Sequence, residues 1–179
     1  MADLRLATLL AALVGCLSAP AWAQSIDQGF YYKLSTQFRG NGMKLDVFNG
    51  GPRNNMTRLE PDQDVSGQFW RFAGNADGTF RLSTLLRGPG MCLDVFNGGP
   101  NDNQPHLADC DDLSGQAWRI VLAGDGELVH LTTEFHGPGI CLDIFNEGPT
   151  DNQPYLAECN DVVSSQFWML TKTDKRAEE

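Results

Sequence analysis

The sequence predicts an all-β domain of twelve short strands, arranged as three related units of about 48 residues around a pseudo-threefold axis. Two observations carry this. The segment CLDVFNGGPNDNQPHLADC at residues 92–110 returns as CLDIFNEGPTDNQPYLAEC at residues 141–159, with an altered copy, KLDVFNGGPRNNMTRLEPD, beginning at Lys44. Each copy is followed by a Gln-x-Trp triplet, Gln68-Phe69-Trp70, Gln116-Ala117-Trp118 and Gln166-Phe167-Trp168, in register with Leu-Asp pairs ending in Asp46, Asp94 and Asp143. Self-similarity at this period is the signature of a repeat architecture.

The N-terminal segment stands apart from the repeats. Residues 6–17 form an apolar run too short to span a bilayer comfortably, followed by Ala21-Trp22-Ala23, the small-x-small pattern of a cleavage site. Residues 1–23 are therefore expected to be a secretory signal and residues 24–30 a linker. A second reading stands beside it, because Leu13-Val14-Gly15-Cys16 matches a bacterial lipoprotein box, which would anchor the protein through a lipid on Cys16. Both readings place the protein outside the cytoplasm, secreted or periplasmic. No other long apolar segment exists, so no transmembrane segment is expected.

Residues 1–23 carry one acid, Asp3, and one base, Arg5, so export leaves the net charge of −10 unchanged. Such a chain has no basic stripe to track phosphates and is repelled by anionic membranes, which excludes nucleic acid as an expected partner. The remaining length suits one compact domain, expected to be a monomer.

Each unit holds four short apolar or alternating runs. In the second they are residues 81–85, 91–95, 106–110 and 117–122, separated by Gly, Pro, Asn and Asp, with no sustained helical period. Asp77-Gly78 and Asp125-Gly126 introduce the second and third units and suit the positive backbone angles of tight hairpins. Three copies without capping repeats favour closure on themselves, since closure leaves no exposed sheet edge. Cys92, Cys110, Cys141 and Cys159 form two pairs of equal spacing, so disulfides Cys92–Cys110 and Cys141–Cys159 are expected in an exported chain. There is no C-x-x-C and the histidines lack ligand spacing, so neither a metal nor another cofactor is expected. In the first unit Lys44 and Asp62 stand at the cysteine positions, either as an ion pair in place of the bridge, worth at most about 1 kcal/mol if exposed, or as two surface positions that have drifted. Residues 31–172 are expected to form the folded domain and residues 173–179 a mobile charged tail.

The Cys-Leu-Asp-Val-like strand and the terminal Gln-x-Trp, in three registered copies over residues 31–171, resemble the ricin-type lectins. That resemblance implies a β-trefoil fold and sugar binding, with the Leu-Asp carboxylate accepting bonds from adjacent hydroxyls and an aromatic ring covering the sugar's apolar face. Asp46, Asp94 and Asp143 match residue by residue. The family's aromatic, two residues before the second cysteine, is Ala108 and Ala157 here and Glu60 in the first unit; its Asn before Gln-x-Trp is Gly67, Gly115 and Ser165. The polar position four before the second cysteine holds Arg58, His106 and Tyr155, so the units are not equivalent.

Candidate sugar-binding residues are accordingly Asp46, Asp94, Asp143, His106, Tyr155, Gln116 and Gln166, the three aspartates offering either ligand contacts or a structural tie to the following turn. Phe96 and Phe145, with Phe48, offer either replacement rings or ordinary core. Asn97 and Asn146, with Asn103, Gln104, Asn152 and Gln153, offer either ligand contacts or turn caps. The expected partner is a neutral carbohydrate or glycoconjugate, the alternative a protein. Catalysis is not expected: H-E-x-x-H, G-x-S-x-G and a phosphate loop are missing, and the acids recur as copied singles rather than as an asymmetric pair. Asn55-Met56-Thr57 forms a glycosylation sequon.

Overall fold

Alternation sets the strands. In WRFAG at residues 70–74, Trp70 and Phe72 are buried while Arg71 is half-exposed, the period of two expected for a sheet with one face on a core. The computed structural model describes residues 26–123 and 126–177, which hold twelve strands; TRLEP, PHLAD, WRIVLA and PYLAE alternate in the same way, whereas MCLDV and LVHLTT are buried on nearly every residue. The twelve are β1 (Phe30–Thr36), β2 (Met43–Val47), β3 (Thr57–Pro61), β4 (Trp70–Gly74), β5 (Phe80–Thr84), β6 (Met91–Val95), β7 (Pro105–Asp109), β8 (Trp118–Ala123), β9 (Leu128–Thr133), β10 (Gly137–Ile144), β11 (Pro154–Glu158) and β12 (Trp168–Arg176). The expected signal segment, Cys16 and Asp125 lie outside the described residues.

Six strands close into a barrel in the order β12, β1, β4, β5, β8, β9 and back to β12. The long ladders β4–β5, β8–β9 and β12–β1 join one unit to the next. Within a unit the barrel strands touch through one residue pair each, Tyr32 with Trp70, Phe80 with Trp118 and Val129 with Trp168. The three Gln-x-Trp indoles therefore sit at equivalent seams, fully buried. Each Nε1–H donates to a backbone oxygen, of Leu45 at 2.8 Å, Leu93 at 2.7 Å and Leu142 at 2.8 Å. Hairpins β2–β3, β6–β7 and β10–β11 contribute Leu45, Leu59, Leu93, Leu107, Leu142 and Leu156 to the same core.

The hairpins also lock to one another. Asn55, Asn103 and Asn152 adopt φ of 67°, 64° and 66°, left-handed angles that Asn tolerates better than other non-glycine residues. Their carbonyls accept the amides of Leu107, Leu156 and Leu59, each on the next hairpin, at 2.8 Å. These loop asparagines are thus fold elements, and the Asn55 side-chain oxygen of the sequon is buried. Between β4 and β5 the hairpin turns at Gly78, φ +83°, with the Asp77 carboxylate accepting both the amide and the hydroxyl of Thr79.

Both expected disulfides are present, with Cα–Cα separations of 4.9 Å. The first unit departs from expectation. Lys44 is buried, 4% exposed, with its Nζ 3.5 Å from Ser35 Oγ, and Asp62 pairs instead with Lys33. Strand register explains this, because Lys44 takes the buried place that Cys92 and Cys141 hold in the other hairpins, while Asp62 lies past the end of β3. Burial pushes the Lys44 ammonium down from the usual lysine range, with nearby Asp62 opposing. The C-terminal segment also differs. Residues 173–176, expected to trail as a tail, extend β12: Thr173 donates to the Tyr31 carbonyl, Arg176 pairs with Phe30, and the Ala177 amide donates to Gly29.

Candidate functional site

Each hairpin presents the same constellation at the end of its first strand. Leu45, Leu93 and Leu142 point into the core, so the following aspartate turns to the opposite face. Register places it across from the variable polar residue, Asp46 opposite Arg58, Asp94 opposite His106 and Asp143 opposite Tyr155.

The carboxylates are held alike. Oδ1 accepts the next residue's amide, that of Val47 at 2.7 Å, Val95 at 2.7 Å and Ile144 at 2.6 Å. Oδ2 accepts the side-chain amide of Gln68 at 3.1 Å, and of Gln116 and Gln166 at 3.0 Å. Each glutamine Nε2 also donates to a backbone oxygen, and each Oε1 accepts a backbone amide, of Gln63, Asp111 or Asn160. This corrects the assignment of Gln116 and Gln166 as ligand contacts. They are 0% and 2% exposed, and both amide hydrogens and the carbonyl oxygen of each are bonded inside the fold. A carboxylate has about four lone-pair sites, so Asp46 and Asp94 keep capacity for outside donors. Asp143 has less, since the Tyr155 hydroxyl donates to its Oδ2 at 3.3 Å.

The phenylalanines are neither core nor free platforms. They follow the aspartate by two residues, share its face and are half-buried. Phe96 stacks on the His106 ring at 3.6 Å and 9°, Phe145 on Tyr155 at 3.9 Å and 12°, and the Arg53 guanidinium covers Phe48 at 4.1 Å. Desolvation pushes the His106 imidazole below its usual 6.5, with Asp94 opposing. Burial, reinforced by Asp143, raises the Tyr155 phenol.

Two clefts open beside these carboxylates. The first is lined by Asp46, Val47, Phe48, Asn49, Arg58 and Glu60. The second is lined by Asp94, Val95, Asn97, Leu113, Ser114, Gly115 and Phe135. Asn97 thus joins Asp94, whereas Asn146, its exposed counterpart, lies in the turn after Phe145. The glycines before Gln-x-Trp make room for the carboxylate. A Cβ at Gly67 would lie 2.1 Å from Asp46 Oδ1, and one at Gly115 would lie 2.3 Å from Asp94 Oδ1. Reading the repeats separately missed Leu113, Ser114 and Phe135. Phe135 lies 41 residues beyond Asp94, in the next unit, and its one available signal is the alignment of Phe135 with Phe38 and Leu86.

Comparisons with known proteins agree with this architecture. A family model for the ricin-type beta-trefoil lectin domain matches residues 31–168. Among solved structures, a mosquitocidal holotoxin superposes with a TM-score of 0.69 at 15% identity over 83% of this chain, which spans 18% of the holotoxin chain. The Haemophilus ducreyi cytolethal distending toxin gives 0.61 at 18% identity, covering 92% of this chain and 93% of that one. A Macrolepiota procera ricin B-like lectin in complex with lactose gives 0.61 at 19% identity, covering 83% and 99%. The search of curated proteins finds no significant match.

Proposed function

Since the chain belongs to the ricin-type β-trefoil lectin domain family, we propose that it is an exported, non-catalytic carbohydrate-binding module with up to three weak sites. The observation that carries this reading is the repeated carboxylate, held by the same two intramolecular bonds in each unit and, in the first two units, lining an open cleft. A hexose offers hydroxyl donors on its rim, and an ionised carboxylate is an acceptor-only partner for them. Sites that are individually weak reach useful avidity on a multivalent glycan surface. The two disulfides suit an oxidising compartment outside the cytoplasm.

A second reading, a protein-binding trefoil such as a toxin-delivery subunit, adhesin component or inhibitor, is favoured by one feature. The loops ahead of each Gln-x-Trp carry exposed apolar residues, Val65, Leu113 and Val162, the last 86% exposed. The test is a glycan array with the exported chain beside an Asp46→Asn, Asp94→Asn, Asp143→Asn variant of native circular dichroism. Binding that the variant loses supports the lectin reading. Silence, or binding untouched in the variant, moves the assignment to a protein partner.

A further inference from the structure

The three units carry the same carboxylate but do not build the same cleft. In each unit one backbone bond, to the first serine of the short 3-10 turn ahead of the tryptophan, fixes a residue of the unit that follows, and in the second unit that residue lines the cleft. Leu86 donates its amide to the Ser66 carbonyl at 3.1 Å, Phe135 to Ser114 at 3.2 Å, and Phe38 to Ser164 at 3.2 Å. These residues occupy equivalent places, and they differ in what they offer. Leu86 has no ring and packs against the core. Phe38 is covered by the Arg39 guanidinium at 4.4 Å, itself held by Asp151. Phe135 has no such cationic cover among the described residues, touches His136 at an interplanar angle of 62°, and lines the second cleft.

The remaining walls differ in the same direction. In the first cleft Arg58 and Glu60 bring charge beside Asp46. In the third unit Ser165 stands where the others have a glycine packed against the carboxylate, and Tyr155 already donates to Asp143. The second cleft combines the Asp94 carboxylate seated against Gly115, Asn97, and an apolar wall of Leu113 and Phe135.

We propose that the second unit's cleft is the principal saccharide site and that Phe135, supplied by the third unit, is its stacking platform. The inference rests on the carbohydrate-binding reading and names the ligand class: one neutral pyranose ring that turns a C–H face to Phe135 and Leu113 and adjacent hydroxyls to Asp94. A cleft volume of about 220 Å³ suits one ring, lying below the roughly 300–1,000 Å³ typical of drug-sized ligands. Uronates and other acidic sugars are disfavoured by Asp94 and by the net charge of −10. The ring thus replaces, from outside the repeat, the aromatic that Ala108 lacks.

The test titrates isotope-labelled protein with the methyl α-pyranosides of galactose, glucose and mannose, following amide shifts by NMR. The amides of Asp94, Gly115 and Phe135 should respond at lower sugar concentration than those of Asp46, Gly67 and Leu86. Phe135→Ala should weaken binding about tenfold, as expected for losing an aromatic contact worth roughly 1.4 kcal/mol. Phe135→Trp should retain binding, and Phe135→Leu, which keeps apolar bulk, should fall between and guards against misfolding of the alanine variant. If Asp94→Asn abolishes binding while Phe135→Ala leaves it unchanged, the platform is overturned and the lectin reading stands. Shifts confined to the first or third unit also overturn the proposal. No response to any pyranoside, together with a silent glycan array, overturns both.

Discussion

Gln116 has two amide hydrogens and one carbonyl oxygen, and all three are committed inside the fold. Its neighbour Asp94 accepts two internal bonds and keeps lone pairs for the cleft. The two side chains look equally functional in a sequence and both are buried, but Asp94 lines the cleft and Gln116 does not. His106 shows a similar division, since its ring is stacked under Phe96 and shifted toward the neutral form by desolvation. A folded-state value below 6.5 means that the unfolded chain binds the proton more readily. His106's contribution to stability is therefore complete above the unfolded value and is lost as pH falls through the lower folded value. An NMR titration should place the His106 midpoint below 6.5, with the urea midpoint falling on acidification more steeply than in His106→Asn. A midpoint at or above that value would contradict the stacked, desolvated ring.

At the scale of elements, the hairpins were legible because their information is local. In the second unit, alternating runs and Asn, Gly and Pro punctuation locate β5 to β8 within about two residues. Lys44 departs from the expected ion pair because the register of β2 keeps the buried cysteine place of β6 and β10, and burial of that place is not written in the local sequence. That register makes a prediction. Met43 opposite Pro61 matches Met91 opposite Asp109 and Ile140 opposite Glu158, so the cysteine positions of the first hairpin hold the same relation as in the bridged ones. The double substitution Lys44→Cys with Asp62→Cys should form a third disulfide, counted by free-thiol assay. It should raise stability by about 3 kcal/mol in denaturant unfolding, since a closed loop of this length constrains the unfolded chain. Two free thiols in the folded, oxidised protein would sink this. The end of β12 was also hidden from local reading, because a charged strand edge and a charged tail share a composition until a partner is known.

At the scale of the whole molecule, the repeat is a unit of sequence and not a unit of stability. The long barrel ladders run between units, and β1 with β12 closes the ring between the first and last. Each hairpin donates a leucine amide to the asparagine carbonyl of its neighbour. An isolated middle unit, residues 75–123, is accordingly expected to show no cooperative thermal transition by circular dichroism, whereas the whole domain should melt as one. Independent melting of the single unit would contradict this dependence. What the sequence by itself determined was the repeat, its all-β character, the disulfide pairs and the family, because periodicity, turn residues and spacing are written along the chain. What only the tertiary structure decided was which side chains meet. The β8–β9 ladder and the Phe135–Ser114 bond bring the third unit against the second unit's carboxylate, so the cleft's composition depends on contacts between residues distant in sequence.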